Sequence, residues 1–258
     1  MSLGNYEQFA RYFKEHNGLD LGCYKQAQMQ RRIEQFITNK GFTSYHSFKD
    51  SLETTPELMK AFMRHLTINV SQFFRDIGQW DILRQRIMPI LLEGNTYIKV
   101  WSAGCSGGQE AYTLAILFQE HFPNASYTII GTDIDETMLS QAKSGIYKAN
   151  DFQGVPASIM AKYFNETTNG FQVKDKLKRN IQFQDRNLLT GLFDTGYDLI
   201  CCRNVVIYFT EETKSHLYQR FSKSLRPGGI LFTGSTEQIF NVNELGLKAL
   251  APFFYQKL

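Results

Sequence analysis

The sequence predicts an α/β protein: a doubly wound, mostly parallel sheet with a closing antiparallel hairpin, preceded by a small all-helical N-terminal domain. Three observations carry that expectation. Residues 1 to about 92 hold apolar side chains at helical spacing and show no strand-like alternation. From Thr96 onward, short apolar runs alternate with helical segments. The tail "LKALAPFFYQKL" has Pro252 at its middle and no helix between its halves, as a hairpin requires.

The helices follow in order. "NYEQFARYFKEHNG" places Tyr6, Phe9, Tyr12 and Phe13 at helical spacing and ends at Gly18. "YKQAQMQRRIEQFITNKGF" puts Met29, Ile33, Phe36 and Ile37 on one face and closes at Gly41. "TSYHSFKDSLE" and "TPELMKAFMRHLTIN" predict two more helices, and "DIGQWDILRQRIMPILLEG" a further amphipathic one with Pro89 near its end. Strands are expected at 96–103, 126–133, 180–186, 197–205 and 229–235, with helices at 109–122, 136–144 and 211–225. The strands are rich in Ile, Val, Tyr and Phe without alternation, which suits burial on both faces of a parallel sheet. Residues 145–180 interrupt the pattern with a short helix and a small strand pair around Asn169-Gly170. The expected division is a helical domain over 1–75, a linker helix over 76–95, and a sheet domain over 96–258 with an insertion at about 145–180.

Composition narrows the function classes. Apolar residues make up 43% of the 258 and charged residues 21%, enough for a sizeable core. A net charge of +3 is too small to argue for nucleic acid or a membrane surface. No apolar run approaches the ~18–20 residues of a membrane-spanning helix. The opening "MSLGNYEQFARYFKEHNG" is charged and has no apolar core of the secretory kind. Cys23, Cys105, Cys201 and Cys202 form no C-x-x-C, and the plain expectation is reduced thiols in a cytoplasmic protein.

"VWSAGCSGGQEAYTLAILF" reads as strand, glycine turn and helix, with Gly104, Gly107 and Gly108 in the turn. A dinucleotide fold would carry G-x-G-x-x-G; here the spacing is G-x-x-G-G, followed by Glu110. A carboxylate beside the turn repels a pyrophosphate and attracts a cation. S-adenosylmethionine (SAM) has a sulfonium, an ammonium and no phosphate, so the turn suits it better than NAD or ATP. Glu110 also reads as an ordinary first-turn acid favoured by the helix dipole. The second strand ends in "GTDID", which places Asp133 to accept ribose hydroxyls, with Asp135 the alternative or a helix N-cap. Asn187 in "QDRNLL" suits the adenine edge or a plain turn. Arg203 and Asn204 end the strand "DLICCRNVVIYF", with Tyr208 shortly after. An arginine ending a buried apolar strand needs an anion or a structural ion pair.

Taken in order, "LTINVSQFFRD", "VWSAGCSGGQEAYTLA", "GTDID", "SGIY", "FQDRNLL", "DLICCRNVVIYF" and "LRPGGILFTGSTE" resemble the bacterial chemotaxis protein methyltransferases, the CheR family. The resemblance covers essentially the whole chain. It implies a Rossmann-like SAM-dependent methyltransferase sheet behind a helical substrate-docking domain, and an enzyme that esterifies glutamate side chains of chemoreceptors. It also implies the cofactor contacts. Asn69, Ser71 and Arg75 match N-x-[ST]-x-F-F-R. Gly104 and Glu110 match the glycine turn and its acid, and Asp133 the acid ending strand two. Asn187 and Leu188 match the adenine-side pair, and Arg203 and Asn204 the pair ending strand four.

The implied reaction is an in-line displacement by a glutamate carboxylate on the sulfonium methyl, releasing S-adenosylhomocysteine. A glutamate of pKa about 4.3 is ionised at neutral pH and needs no general base. Arg75 or Arg203 is expected to steer it and Tyr208 to orient it. The partner implied is the acidic helical bundle of a chemoreceptor cytoplasmic domain, docked on Lys25, Arg31, Arg32 and Lys40; the bland alternative is a solvated helix face. A monomer without metal, nucleic acid or membrane insertion is expected. In some members the insertion holds a receptor C-terminal pentapeptide; here "YFNETTNGFQV" is short and not conspicuously basic, which weighs against that tether. A nucleic-acid methyltransferase is the nearest enzyme alternative, but "CRNVVIYF" lacks the Pro pair of DNA amino-methyltransferases.

Overall fold

Asn5 starts the first helix, α1 (Tyr6–Asn17), because its Oδ1 accepts the Glu7 and Gln8 N–H groups at 2.9 and 3.2 Å. Gly18, at φ +67°, ends it in the left-handed conformation that glycine adopts without cost. Ser44 caps α3 (Tyr45–Thr54) through the Ser47 N–H, and Pro56 opens α4 (Pro56–Leu66) where its missing N–H costs nothing. With α2 (Gln26–Asn39), these helices bury a knot of rings. Phe48 meets Phe62 edge-on at 4.9 Å between centroids, and Phe13 meets Phe62 at 5.4 Å.

The computed structural model describes residues 4–67 and 69–258. Ile68, which opens "INVSQFFRD", and residues 1–3 lie outside the described residues. The chain divides into two units. One takes the segment up to residue 67 together with Tyr208–Ser215; the other takes Asn69–Ile207 and His216–Leu258. In the helical unit, the returning segment is held by main-chain bonds: Lys25 N–H to the Tyr208 carbonyl at 2.9 Å and Thr210 N–H to the Cys23 carbonyl at 3.0 Å.

The second unit begins with the motif segment and a helical run. The run comprises α5 (Ile77–Ile82), a π turn at Leu83–Ile87 and α6 (Met88–Leu92). Pro89 explains the π turn. It has no N–H, and its ring clashes with the carbonyl four residues back, so the helix widens and Met88 N–H reaches the Leu83 carbonyl.

The sheet follows: β1 (Tyr97–Ala103), α7 (Gln109–His121), β2 (Ser126–Asp133) and α8 (Glu136–Ser144). The insertion comes next, with β3 (Ile146–Tyr147), α9 (Ala157–Tyr163), β4 (Phe164–Thr167), β5 (Gly170–Val173) and α10 (Asp175–Lys178). Then come β6 (Ile181–Asp185), β7 (Tyr197–Cys202), α11 (Glu211–Ser224), β8 (Leu225–Thr233), β9 (Leu247–Ala251) and β10 (Phe254–Lys257). The seven-stranded order is β6-β2-β1-β7-β8-β10-β9. Its first five strands are parallel neighbours, and β10 pairs antiparallel with both β8 and β9. The expected mostly parallel sheet and closing hairpin are therefore present, following an all-helical segment in the chain. All six residues of β7 are buried, as strands covered on both faces must be.

Two details differ from expectation. The sequence placed a Pro-Gly-Gly turn before the last parallel strand, whereas β8 runs from Leu225 through it. The partners jump from Tyr197↔Leu225 to Leu199↔Ile230, so Pro227–Gly229 forms a bulge, with Gly228 at φ +78°. The insertion has three strands, β3-β5-β4, where only a pair was expected; two residues of β3 are too short for a period to show. Among the described residues no helix is long and apolar enough to cross a membrane.

Gly170 starts β5 at φ +129°, and a side chain there would strike the Tyr147 carbonyl on β3. Gly170→Ala is expected to cost at least about 2 kcal/mol, read as a lower chemical-denaturation midpoint, because neither the backbone angle nor the neighbouring strand gives way. An unchanged midpoint would show that the insertion sheet is not packed as described.

Candidate functional site

Reading the parallel strands as β6-β2-β1-β7-β8, the winding reverses between β1 and β7. A doubly wound sheet leaves its ligand crevice outside the strand carboxyl ends at that point. The chain is drawn tight there. Gly104 follows β1 at φ +77°, and a Cβ on it would lie 2.6 Å from Val205 Cγ2 in the loop after β7. The turn then doubles back. Gly104 and Cys105 N–H both reach the Thr132 carbonyl, Ser106 takes φ +48°, and Gly108 at φ +88° opens α7. Gly108 has no room for a side chain either: a Cβ would sit 2.9 Å from Ala142 Cβ.

The acids around this turn are all tied. Asp133 Oδ2 accepts Ser106 N–H at 2.8 Å and its Oδ1 accepts Asp135 N–H at 3.0 Å. Asp135 caps α8 through Thr137 and Met138 N–H, and its Oδ2 accepts from Asn69 Nδ2 at 2.8 Å. Ser106 Oγ in turn donates to Asn69 Oδ1 at 3.4 Å. Burial pushes the Asp133 carboxyl above its ordinary range, opposed by the N–H bonds from Asp135 and Ser106. Burial also raises Glu110, opposed by Arg203 and by Ser102, whose hydroxyl donates at 2.7 Å.

Arg203 is the hub. Its side chain is 3% exposed and lies between the rings of Trp80 and Phe232, at 5.0 and 4.7 Å from their centroids. One terminal nitrogen donates to the Arg75 carbonyl and to Gln79 Oε1, each at 2.8 Å, and faces Asp76 at 3.4 Å. The other faces Glu110 at 3.5 Å. The guanidinium is thus the structural ion pair that a buried strand-end arginine requires, and it fastens the motif to the sheet.

The motif segment folds around this hub. Phe74 and Asp76 both hold positive φ, at 54° and 59°. Phe74 N–H donates to Thr113 Oγ1 at 3.2 Å, and Trp80 Nε1 donates to the Arg75 carbonyl at 2.8 Å. Phe73 is buried, stacked on Phe152 at 4.7 Å. Arg75 sends one terminal nitrogen to the Val70 carbonyl at 2.9 Å and is otherwise half-exposed; Ser71 is half-buried. On the far side, Asn187 Oδ1 accepts Leu189 N–H at 2.8 Å, as the turn alternative to the adenine edge expects, and Leu188 is buried. Asn69, Ser71, Arg75, Gly104, Glu110, Asp133, Asn187, Leu188, Arg203 and Asn204 all fall in the sheet unit. Tyr208, Lys25, Arg31, Arg32 and Lys40 belong to the helical unit. There Arg31 and Lys40 are exposed, whereas Arg32 is half-buried with its Nε donating to the His65 carbonyl.

Sequence reasoning missed two side chains that shape these loops. Glu237 is 4% exposed, and its carboxylate accepts N–H groups from Asn204 at 2.7 Å, Gly234 at 2.8 Å and Val206 at 2.9 Å. It thereby holds Asn204 at φ +58°. Arg220 of α11 donates to the carbonyls of Leu188, Leu189 and Gly191. Their hydrogen bonds go to main-chain atoms, mostly distant ones, and Arg220 also stacks on the Phe193 ring at 3.8 Å, so no local side-chain pattern announces them.

The donor set fits SAM. The charged groups at the turn are carboxylates, the buried cation Arg203 is already paired with Glu110, and the glycine backbone permits close approach; a sulfonium with an ammonium suits this and a pyrophosphate does not. The CheR methyltransferase SAM binding domain matches residues 69–250, and the CheR methyltransferase all-alpha domain matches residues 4–67. The chain belongs to the CheR methyltransferase family. It is a SAM-dependent methyltransferase. Among relatives, a chemotaxis protein methyltransferase of Listeria monocytogenes is 40% identical over 254 residues, covering 98% of this chain and 97% of its own. One of Borreliella burgdorferi is 32% identical, covering 93% and 89%. Chemotaxis protein methyltransferase 1 of Pseudomonas aeruginosa is 30% identical, covering 94% and 93%.

Glu237→Gln keeps the shape but turns an amide donor toward main-chain donors. It is expected to lower the unfolding free energy by about 1.5–3 kcal/mol, the worth of a hydrogen bond to a charged group. Urea denaturation measures this, and an unchanged midpoint would rule out the clamp.

Proposed function

We propose that this methyltransferase transfers the SAM methyl group to glutamate side-chain carboxylates of chemoreceptor cytoplasmic helices, forming the methyl esters of chemotactic adaptation. SAM supplies an activated methyl group when bound. Glu110, Asp133 and Asn69 line the turn that receives its charged and ribose portions, with Asn187 and Leu188 at the adenine. The acceptor glutamate is already ionised, so the residues of this chain position it and exclude water; they need not remove a proton.

The observation that carries the reading is the difference between the two arginines. Arg203 is spent on Glu110, Asp76, Gln79 and the Arg75 carbonyl, so it positions the site. Arg75 pairs with no acid among the described residues and is half-exposed, so steering an incoming carboxylate falls to it. Lys25, Arg31, Arg32 and Lys40 supply positive charge for an acidic helical partner, with the exposed Arg31 and Lys40 contributing most. The relatives are chemotaxis protein methyltransferases, which supports a receptor as the partner. A cytoplasmic monomer without metal is the corresponding working form.

Incubation with methyl-labelled SAM and a receptor cytoplasmic fragment is expected to give label that mild base releases as methanol. Base-stable label would point to nitrogen methylation and defeat the proposal. Arg75→Ala is expected to lower kcat/KM for the receptor roughly 10- to 100-fold, the range of a lost hydrogen bond to a charged group. Unchanged turnover would remove Arg75 from the account.

A further inference from the structure

The stretch "SGIY" has no part in the site described so far. Its Tyr147 lies in β3 of the insertion and is 1% exposed. The hydroxyl donates to the Gly107 carbonyl at 2.5 Å. The ring meets Phe73 edge-on at 5.0 Å and Tyr112 at 6.1 Å between centroids. A second link runs the same way: Gln109 Nε2 donates to Asp151 Oδ1 of the insertion at 3.1 Å.

What the Tyr147 bond holds follows from the backbone. Gly107 and Gly108 are adjacent, and glycine resists rotation less than any other residue. One peptide plane carries the Gly107 carbonyl and the Gly108 N–H. The N–H donates to the Cys105 carbonyl at 2.9 Å, and the carbonyl receives the Tyr147 hydroxyl. The plane is pinned at both ends, immediately before Gln109 and Glu110. A side chain cannot stiffen the turn from within, because a Cβ on Gly108 would meet Ala142. Its rigidity has to come from outside. Without the hydroxyl, a buried carbonyl loses its partner and the Gly-Gly pair is free to rotate in search of another.

We infer that Tyr147 is a positioning residue for cofactor binding: its hydroxyl fixes the Gly107–Gly108 peptide that shapes the SAM turn, and its ring joins that turn to Phe73 of the "INVSQFFRD" motif. The inference rests on the reading that this turn meets the cofactor. It makes the insertion a structural part of the cofactor site.

Three variants test it by calorimetric titration with S-adenosylhomocysteine, each below its own melting temperature. Tyr147→Phe is expected to weaken binding about tenfold, the order of one net hydrogen bond. Tyr163→Phe is the control: it loses a comparable buried hydroxyl bond, to Glu120, in the same insertion but away from the turn. It is expected to melt lower with binding unchanged. Glu110→Gln reports on the turn itself and is expected to weaken binding. If Tyr147→Phe binds as the parent does while Glu110→Gln is impaired, Tyr147 is only structural and the inference fails. If Tyr147→Phe and Tyr163→Phe weaken binding equally, general loosening of the insertion is the cause and the inference also fails. If neither Tyr147→Phe nor Glu110→Gln weakens binding, the turn is not where the cofactor sits, and the underlying reading falls with it.

Discussion

The buried guanidinium of Arg203 is the constraint around which the sheet unit is arranged. A charge taken out of water costs several kcal/mol unless hydrogen bonds and an opposite charge replace the lost hydration. Here the replacement comes from six groups: Glu110 at the start of α7, Asp76 and the Arg75 carbonyl of the motif, Gln79 of α5, and the faces of Trp80 and Phe232. The partners lie on three stretches of chain, residues 75–80, the start of α7 and β8, so the arginine's demand for partners draws those stretches together. Arg203 Nε and Gln79 Nε2 remain buried without a hydrogen-bond partner, so the replacement is incomplete. Such a cluster is tolerated where the gain is a fixed geometry and not net stability.

The elements with a local signature were legible. The amphipathic helices, Gly18 at the end of α1, Asp135 as a helix cap and the buried runs of β1, β2 and β7 each declare themselves within a few residues. The order of the motifs led from there to the family. What the sequence could not display was partnership across the chain. Glu237 reads as one more acid in a polar loop until three main-chain donors, two of them over thirty residues away, are seen converging on it. Arg203 and Arg75 both looked suited to steering a carboxylate; only burial and a count of acceptors separate them. The π turn before Pro89 and the bulge in β8 are small adjustments, and no periodicity records those.

The insertion illustrates the same limit. Its hairpin looked like an ornament between two strands of the main sheet. In three dimensions its buried face is continuous with the core, where Phe73 sits among Tyr147, Phe152 and Phe164. Phe73 N–H also donates to the Asp151 carbonyl at 3.0 Å. The motif therefore rests on the insertion on one side and on Arg203 on the other.

Phe74 and Asp76, two residues apart, both occupy the left-handed region that non-glycine side chains avoid. An unfolded chain would leave those angles at once, and the bond from Arg75 to the Val70 carbonyl within the motif does not by itself fix them. The conformation exists only after Thr113, Trp80 and Arg203 are in place to hold it. The motif's shape is thus a property of the packed unit and not of its own residues alone.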